Sequence, residues 1–228
     1  PPRPFSFATV ADPLGWHEQG DGKFFLGLCI ENGRILDRPE RRLRQALRAV
    51  ATEFGFPIRL TANGNLFLAN IPRERKVQLG ELLAGYGVSS APPRTATRSI
   101  CHACVALPTC GLALAESERV FPALMDKIDG ILEDLGLQEE PILIRMSGCP
   151  NGCSRPYNAD LAFVGRAPGK YAFFAGGSLA GDRLAGLEKK SVGFEEIPSL
   201  VRSYLEAFAR ERLPEESFSQ YWARTRPR

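Results

Sequence analysis

Residues 141–153 read Pro-Ile-Leu-Ile-Arg-Met-Ser-Gly-Cys-Pro-Asn-Gly-Cys, an apolar run that passes without a spacer into a loop of glycine, proline and two thiols. The run predicts a short buried strand over residues 141–146, because it is brief, rich in branched aliphatics and bounded by turn formers. Cys149 and Cys153 follow as a C-x3-C pair. Gly148, Pro150 and Gly152 surround them, and the Asn-Gly step at residues 151–152 bends the chain sharply enough for its backbone to approach a bound group. Upstream, Cys104 and Cys110 form a C-x5-C pair in the irregular stretch CVALPTC.

Around these loops the chain alternates strand and helix signals. Residues 23–30 (KFFLGLCI) read as a strand, the Asn-Gly of residues 32–33 as a turn, and residues 34–36 as a returning strand. Residues 39–54 carry Leu43, Leu47, Val50 and Phe54 at helical spacing, with Pro39 suited to the start and Gly55 to the end. Residues 57–61 and 66–71 read as two more strands, and residues 72–86 as a second helix. The order strand, strand, helix, strand, strand, helix predicts an α+β sandwich with helices on one sheet face. Residues 88–99 (VSSAPPRTATRS) read as a linker, since Pro92-Pro93 blocks regular structure. Beyond it, helices are expected over residues 111–119 and 122–135, strands over 161–164 and 171–175, and a terminal helix carrying Phe194, Ile197, Val201, Leu205 and Phe208 on one face. The whole is α+β, a strand–helix half-domain over residues 1–93 and a mixed α/β domain over residues 94–228.

Composition narrows the function classes. The 228 residues carry Lys+Arg 29 against Asp+Glu 26, a net charge of +3, too balanced to predict a nucleic-acid or anionic-membrane partner. No apolar run approaches the roughly 20 residues that cross a bilayer, and Pro1-Pro2-Arg3-Pro4 does not read as a secretory signal, so a soluble cytoplasmic protein is expected. Six cysteines are too few for a disulfide scaffold at this length. There is no P-loop, nicotinamide fingerprint, nucleophile elbow or HExxH helix.

Four thiolates from two loops are what a 4Fe–4S cluster requires, one cysteine sulfur per iron. Structural zinc is the alternative, with Cys101 and Cys104 (CHAC) or Cys149 and Cys153 as knuckles, and buried unliganded thiols are a third reading. Against zinc, the C-x5-C spacing is loose for a knuckle and Pro108 lies inside it.

The segments CVALPTCGLALAESER (residues 104–119) and RMSGCPNGCSR (residues 145–155) closely resemble the assimilatory sulfite and nitrite reductase haemoproteins. ENGRILD (residues 31–37) and LTANGNLFLANIP (residues 60–72) are similar to the same family. The wording of the first segment looks more like the sulfite branch than the nitrite branch. The resemblance implies a 4Fe–4S cluster on Cys104, Cys110, Cys149 and Cys153, with Cys153 also bridging to the iron of sirohaem, and a six-electron reduction of sulfite to sulfide. It implies a ferredoxin-like half-domain over residues 1–93 and a 4Fe–4S and sirohaem-binding domain over residues 94–228. Electrons would come from a flavoprotein or ferredoxin, no flavin or nicotinamide site being visible. Family chains are about twice this length, built from two related halves, and this one resembles the second. The cations around bound sulfite lie mainly in the first half, so a missing N-terminal half is an expected partner. A nitrite reductase of the same family and a non-catalytic metal-binding module are the competing readings.

Other residues carry paired readings. Arg155, directly after the second thiol pair, suits a sirohaem carboxylate or the substrate. Asn151 either contacts cofactor or makes the turn, and Gly176-Gly177 either admits the macrocycle or ends a strand. Thr61, Asn63 and Asn65 resemble a family segment whose counterpart in the other half contacts sirohaem. His102 sits inside the first cysteine loop, and Cys101 is an extra thiol ahead of it. Arg38, Arg41, Arg42, Arg44 and Arg48 read as a solvated helix face, with docking of an acidic electron donor as the sharper view.

Overall fold

The computed structural model describes residues 11–178 and 180–226; the Pro1–Pro4 start read above for targeting lies outside them. Asp12–Pro93 form one compact unit, and Ala11 with the residues from Arg94 onward form another.

The first unit contains β1 (Gly15–Glu18), β2 (Phe24–Leu28), α1 (Leu43–Glu53), β3 (Ile58–Leu60), β4 (Leu66–Ile71) and α2 (Lys76–Gly85). Its four strands run β1-β2-β4-β3, all antiparallel. Alternation sends Leu26, Leu28, Leu66 and Leu68 to one face, where Leu43, Ala46, Leu47 and Val50 of α1 and Leu79 and Leu83 of α2 cover them. Both helices therefore lie on one face, as the element order requires, with His17 stacked on Phe25 and Phe67 tilted against it on the other.

Two details depart from the sequence pattern. Residues 34–36 are not a strand: Asn32 and Gly33 take the left-handed region (φ +54° and +71°) inside a 3-10 turn, and the neighbours of β2 are β1 and β4. The helix expected from Pro39 starts at Leu43, because Arg38 and Arg41 exchange backbone hydrogen bonds and Asp37 bridges Arg42. The arginines of this segment are engaged locally: Arg41 donates to the Cys29 carbonyl (2.7 Å), Arg42 to that of Gly85 (2.9 Å), and Arg44 pairs with Asp37 (3.2 Å).

The second unit holds α3 (Ala96–Ile100), β5 (His102–Ala103), α4 (Phe121–Asp134), β6 (Ile144–Ser147), β7 (Leu161–Ala167), β8 (Lys170–Ala175), β9 (Gly186–Gly193), α5 (Ile197–Glu211) and α6 (Phe218–Thr225). Its sheet runs β5-β6-β7-β8-β9; β5, β6 and β7 are parallel and the rest antiparallel. Leu124, Ile128 and Leu132 of α4, Val201, Leu205 and Phe208 of α5, and Phe218 and Trp222 of α6 pack on Ile144, Met146, Leu161, Phe163 and Phe173.

Residues 111–119, expected to be helical, are a series of turns instead. Their amides are spent on tertiary partners: Leu114 and Ala115 donate to Gly148 and Glu118 to Cys104. The tail of the expected linker is α3, capped by the Thr95 side chain on the Arg98 amide.

Candidate functional site

The two cysteine loops leave adjacent strands in the same direction. β5 pairs with β6 in parallel, His102 opposite Arg145 and Ala103 opposite Met146, so the next residues of both strands emerge together at one sheet end. The Cys104 amide donates to the Met146 carbonyl (3.0 Å), and the Gly148 amide donates to the Cys104 sulfur (3.2 Å). An N–H aimed at sulfur stabilises a thiolate and tunes whatever it ligates.

Each loop is braced from within. In the first, Arg119 donates to the Leu107 carbonyl (2.9 Å) and to Thr109 (3.2 Å), and Cys110 N–H closes on Ala106 (2.7 Å). Ser117 donates to the Met146 carbonyl (2.7 Å) and so ties the segment after the loop to β6. In the second, Ser147 and Ser154 share a hydrogen bond (2.6 Å), Arg155 N–H closes on Gly152 (2.8 Å), and Tyr157 donates to the Pro150 carbonyl (3.0 Å). Gly148 is the contact between the loops: a Cβ there would stand 2.5 Å from that of Ala106 and 2.8 Å from the Ala115 carbonyl oxygen. Both loops also carry a non-glycine residue in the left-handed region, Ala106 (φ +46°) and Arg155 (φ +57°). Such conformations cost energy and persist where surrounding bonds over-determine them, as they do here.

Cys149 is buried, Cys104 and Cys110 half-buried, and Cys153 exposed. Among the described residues no three His, Cys, Asp or Glu side chains converge on a point where one metal ion could sit. A 4Fe–4S cluster makes a different demand, because its thiolates surround a cubane with one sulfur to each iron. The donor set fits it: four thiols on two loops at one sheet end, an amide already on one sulfur, and a glycine where a side chain would hold the loops apart. Val105, Leu112 and Leu114 are exposed around the first loop.

The remaining candidates are placed as follows. Asn151 is an exposed turn residue. At Gly176 (φ +83°) the space a side chain would need is taken by the Trp222 indole, and at Gly177 by the Ala159 backbone; their amides donate to Asp160 and Ala159 (both 2.9 Å). Close approach is what both glycines provide, and it is protein that approaches. Asn65 is buried in the other unit: its Oδ1 accepts from Ile30 N–H (2.9 Å), its Nδ2 donates to Asp12 (2.8 Å), and Thr61 also donates to Asp12 (2.6 Å). These two residues hold a strand tip together.

Sequence reading passed over Arg145. Ile144 and Met146 point into the helix-covered core, so Arg145 points to the opposite face, at only 5% exposure and with its Nε lacking any partner. Neighbouring His102 likewise has a buried, partnerless Nδ1. Burial pushes Arg145 down to about 10, aided by repulsion from Arg155 and opposed by Cys101. The same burial, with Arg145 and Arg155, pushes His102 down to about 4, opposed by Glu118. The available signal was a cation inside an otherwise apolar strand.

Comparisons with known proteins agree with this architecture. Residues 17–86 match the model of the nitrite/sulfite reductase ferredoxin-like half domain. The chain is 44% identical over 220 residues to the "Sulfite reductase [NADPH] hemoprotein beta-component" of Staphylococcus carnosus, covering 96% of this chain and 38% of that protein. It is 44% identical over 219 residues to the like-named protein of Geobacillus thermodenitrificans, covering 96% of this chain and 38% of that one. Among solved structures it superposes on the NirA protein of Mycobacterium tuberculosis with a TM-score of 0.82 at 25% identity, over 98% of this chain and 42% of that one. The chain thus spans about two fifths of the length of the proteins it matches.

Proposed function

The chain belongs to the nitrite and sulfite reductase family, and from that premise we propose that it is the cluster-bearing portion of a sulfite reductase haemoprotein, an oxidoreductase that takes sulfite to sulfide. Cys104, Cys110, Cys149 and Cys153 would hold a 4Fe–4S cluster, with exposed Cys153 the thiolate shared with sirohaem. When bound, the coupled pair supplies single electrons beside the metal that takes the anion, which suits a six-electron reduction. The chain's own residues set the stage for it. Gly148 N–H stabilises negative charge on Cys104, Arg119 and Ser117 fix the first loop, and the Ser147–Ser154 pair fixes the second. Arg155, exposed and held in the left-handed region beside Cys153, offers a guanidinium to a carboxylate or to sulfite. In this reading residues 1–93 are the ferredoxin-like half-domain and residues 94–228 the cofactor-binding domain. The rest of the reductase supplies the remaining cations around sulfite, and a cytoplasmic flavoprotein or ferredoxin supplies electrons. Among the described residues no helix is long and apolar enough to cross a membrane.

The observation that carries the proposal is the parallel pairing of β5 with β6, which supports convergence of two thiol loops, with Cys104 and Gly148, forty-four residues apart in sequence, in contact. Anaerobic reconstitution followed by iron and labile-sulfide analysis tests it. About four of each per chain are expected for a cubane, with retention in Cys29→Ser and loss in Cys104→Ser. Equal iron in both variants would overturn the assignment. Cys153→Ser with sirohaem present is expected to lose the coupled visible spectrum; an unchanged spectrum removes its bridging role.

A further inference from the structure

We propose that Asn151 is a spontaneous deamidation site, at which the cluster-free chain turns an asparagine into isoaspartate and so loses the spacing between Cys149 and Cys153. The modification stands apart from what the cysteines hold; its consequence for metal rests on the cluster reading above. An Asn-Gly step is prone to this reaction because glycine leaves the following amide nitrogen unshielded and free to swing toward the asparagine side chain.

The chain has three such steps, at residues 32–33, 63–64 and 151–152. The first two are held. Asn32 and Asn63 are half-buried and engaged with neighbours. The amides after them are bonded, Gly33 N–H to the Ile30 carbonyl (2.9 Å) and Gly64 N–H to that of Thr61 (3.2 Å). Asn151 is exposed, and its side chain bonds to no described residue. Gly152 N–H has only a long bond to the Cys149 carbonyl (3.3 Å). Water therefore reaches the Asn151 amide, and little has to break before a ring can close.

The step balances with water as the one co-reactant. The Gly152 nitrogen gives its proton to solvent and attacks Asn151 Cγ; the new C–N bond closes a succinimide, and the side-chain nitrogen leaves as ammonia. Water then opens either C–N bond of the ring, giving aspartate, or isoaspartate with the main chain rerouted through Cβ. Both products add a negative charge between two cysteines, and isoaspartate adds a backbone atom to the C-x3-C spacing. A cubane needs its thiolates at fixed places, and a carboxylate beside them opposes their ionisation.

The test uses the full chain, iron-free, kept anaerobic with reductant so that thiol oxidation does not enter, and aged in mildly alkaline buffer. Peptide mapping reads acid at each Asn-Gly step, and labelling by an isoaspartyl methyltransferase reads the rearranged product. Acid is expected to accumulate at residue 151 several-fold faster than at residues 32 and 63. Equal rates at the three steps, or none at residue 151, overturn the site. Aged chain is then offered iron and sulfide, and uptake is expected to fall in step with isoaspartate. Asn151→Gln, whose longer side chain closes the ring far more slowly, should keep its own starting uptake. Aged wild type that takes iron as well as fresh, or Asn151→Gln that loses uptake equally, overturns the consequence. Fresh wild type that takes no iron strikes the cluster reading alone, since the peptide map is read without metal.

Discussion

In the unit Asp12–Pro93, buried Asn65 uses its carbonyl oxygen on Ile30 and its amide on Asp12, and Thr61 completes the same knot. In the other unit, buried Arg145 and Asp160 and half-buried His102 each carry a buried atom that bonds to nothing, and all three lie on or beside the parallel strands β5, β6 and β7. Among the described residues every such orphan belongs to this second unit. Polar groups that satisfy one another stabilise a fold, whereas a buried polar atom left unpaired costs free energy. The two units thus differ in how completely their buried polar atoms are paired.

The sharpest break is expected at Gly148. Adding a methyl group by Gly148→Ala drives it into the Ala106 Cβ and the Ala115 carbonyl oxygen, neither of which can swing aside without moving backbone. Overpacking of this kind should cost about 3 kcal/mol, read as a lower urea midpoint. Gly130→Ala on α4, where a Cβ meets nothing within 4 Å, is the control; it should gain roughly 0.5–1 kcal/mol from helix propensity. A neutral Gly148→Ala would mean that the cysteine loops do not touch through this residue.

In the first unit, Asn65→Ala should cost about 2 kcal/mol, because Ile30 N–H is left buried and unpaired. Urea unfolding followed by the fluorescence of Trp16, which packs against that core, reads this unit. An unchanged midpoint would show that the knot is ornamental and would erase the contrast between the units.

Much of the scaffold was legible from local pattern. The period of α4 and α5, the alternation of β4 and the Gly169 turn between β7 and β8 each report a structure made of near neighbours. What was missed depends on distant partners. Residues 111–119 have a helical look that loses to hydrogen bonds with Gly148 and Cys104. β9 shows little alternation because its middle, Glu188-Lys189-Lys190-Ser191, lies along an exposed sheet edge. The pairing that brings Cys104 beside Gly148 joins residues forty-four positions apart, which no window of sequence reveals. Arg145 was overlooked because a charge in an apolar strand reads as an interruption, and only burial turns it into a feature.

Asp160 allows the contrast to be tested by pH alone. It begins the chain leading into β7, accepts one hydrogen bond from Leu143 N–H (2.8 Å), and leaves its other oxygen buried and bare. Burial pushes its carboxyl up from 3.8 to about 7, against the smaller pulls of that bond and of Arg183. The unfolded chain releases this proton near 3.8 and the folded chain near 7, so between these values the folded state holds more protons. Stability from this group must then fall as pH rises through that window, by at most about 1.4 kcal/mol per pH unit. Asp160→Asn keeps an oxygen for Leu143 and cannot ionise. Its urea midpoint should therefore match wild type near pH 4 and exceed it increasingly toward pH 7, the opposite sign to Asn65→Ala in the satisfied unit. Parallel pH profiles for Asp160→Asn and wild type would mean that the carboxylate finds a counter-charge in the folded chain, and the contrast between the two units would lose its electrostatic part.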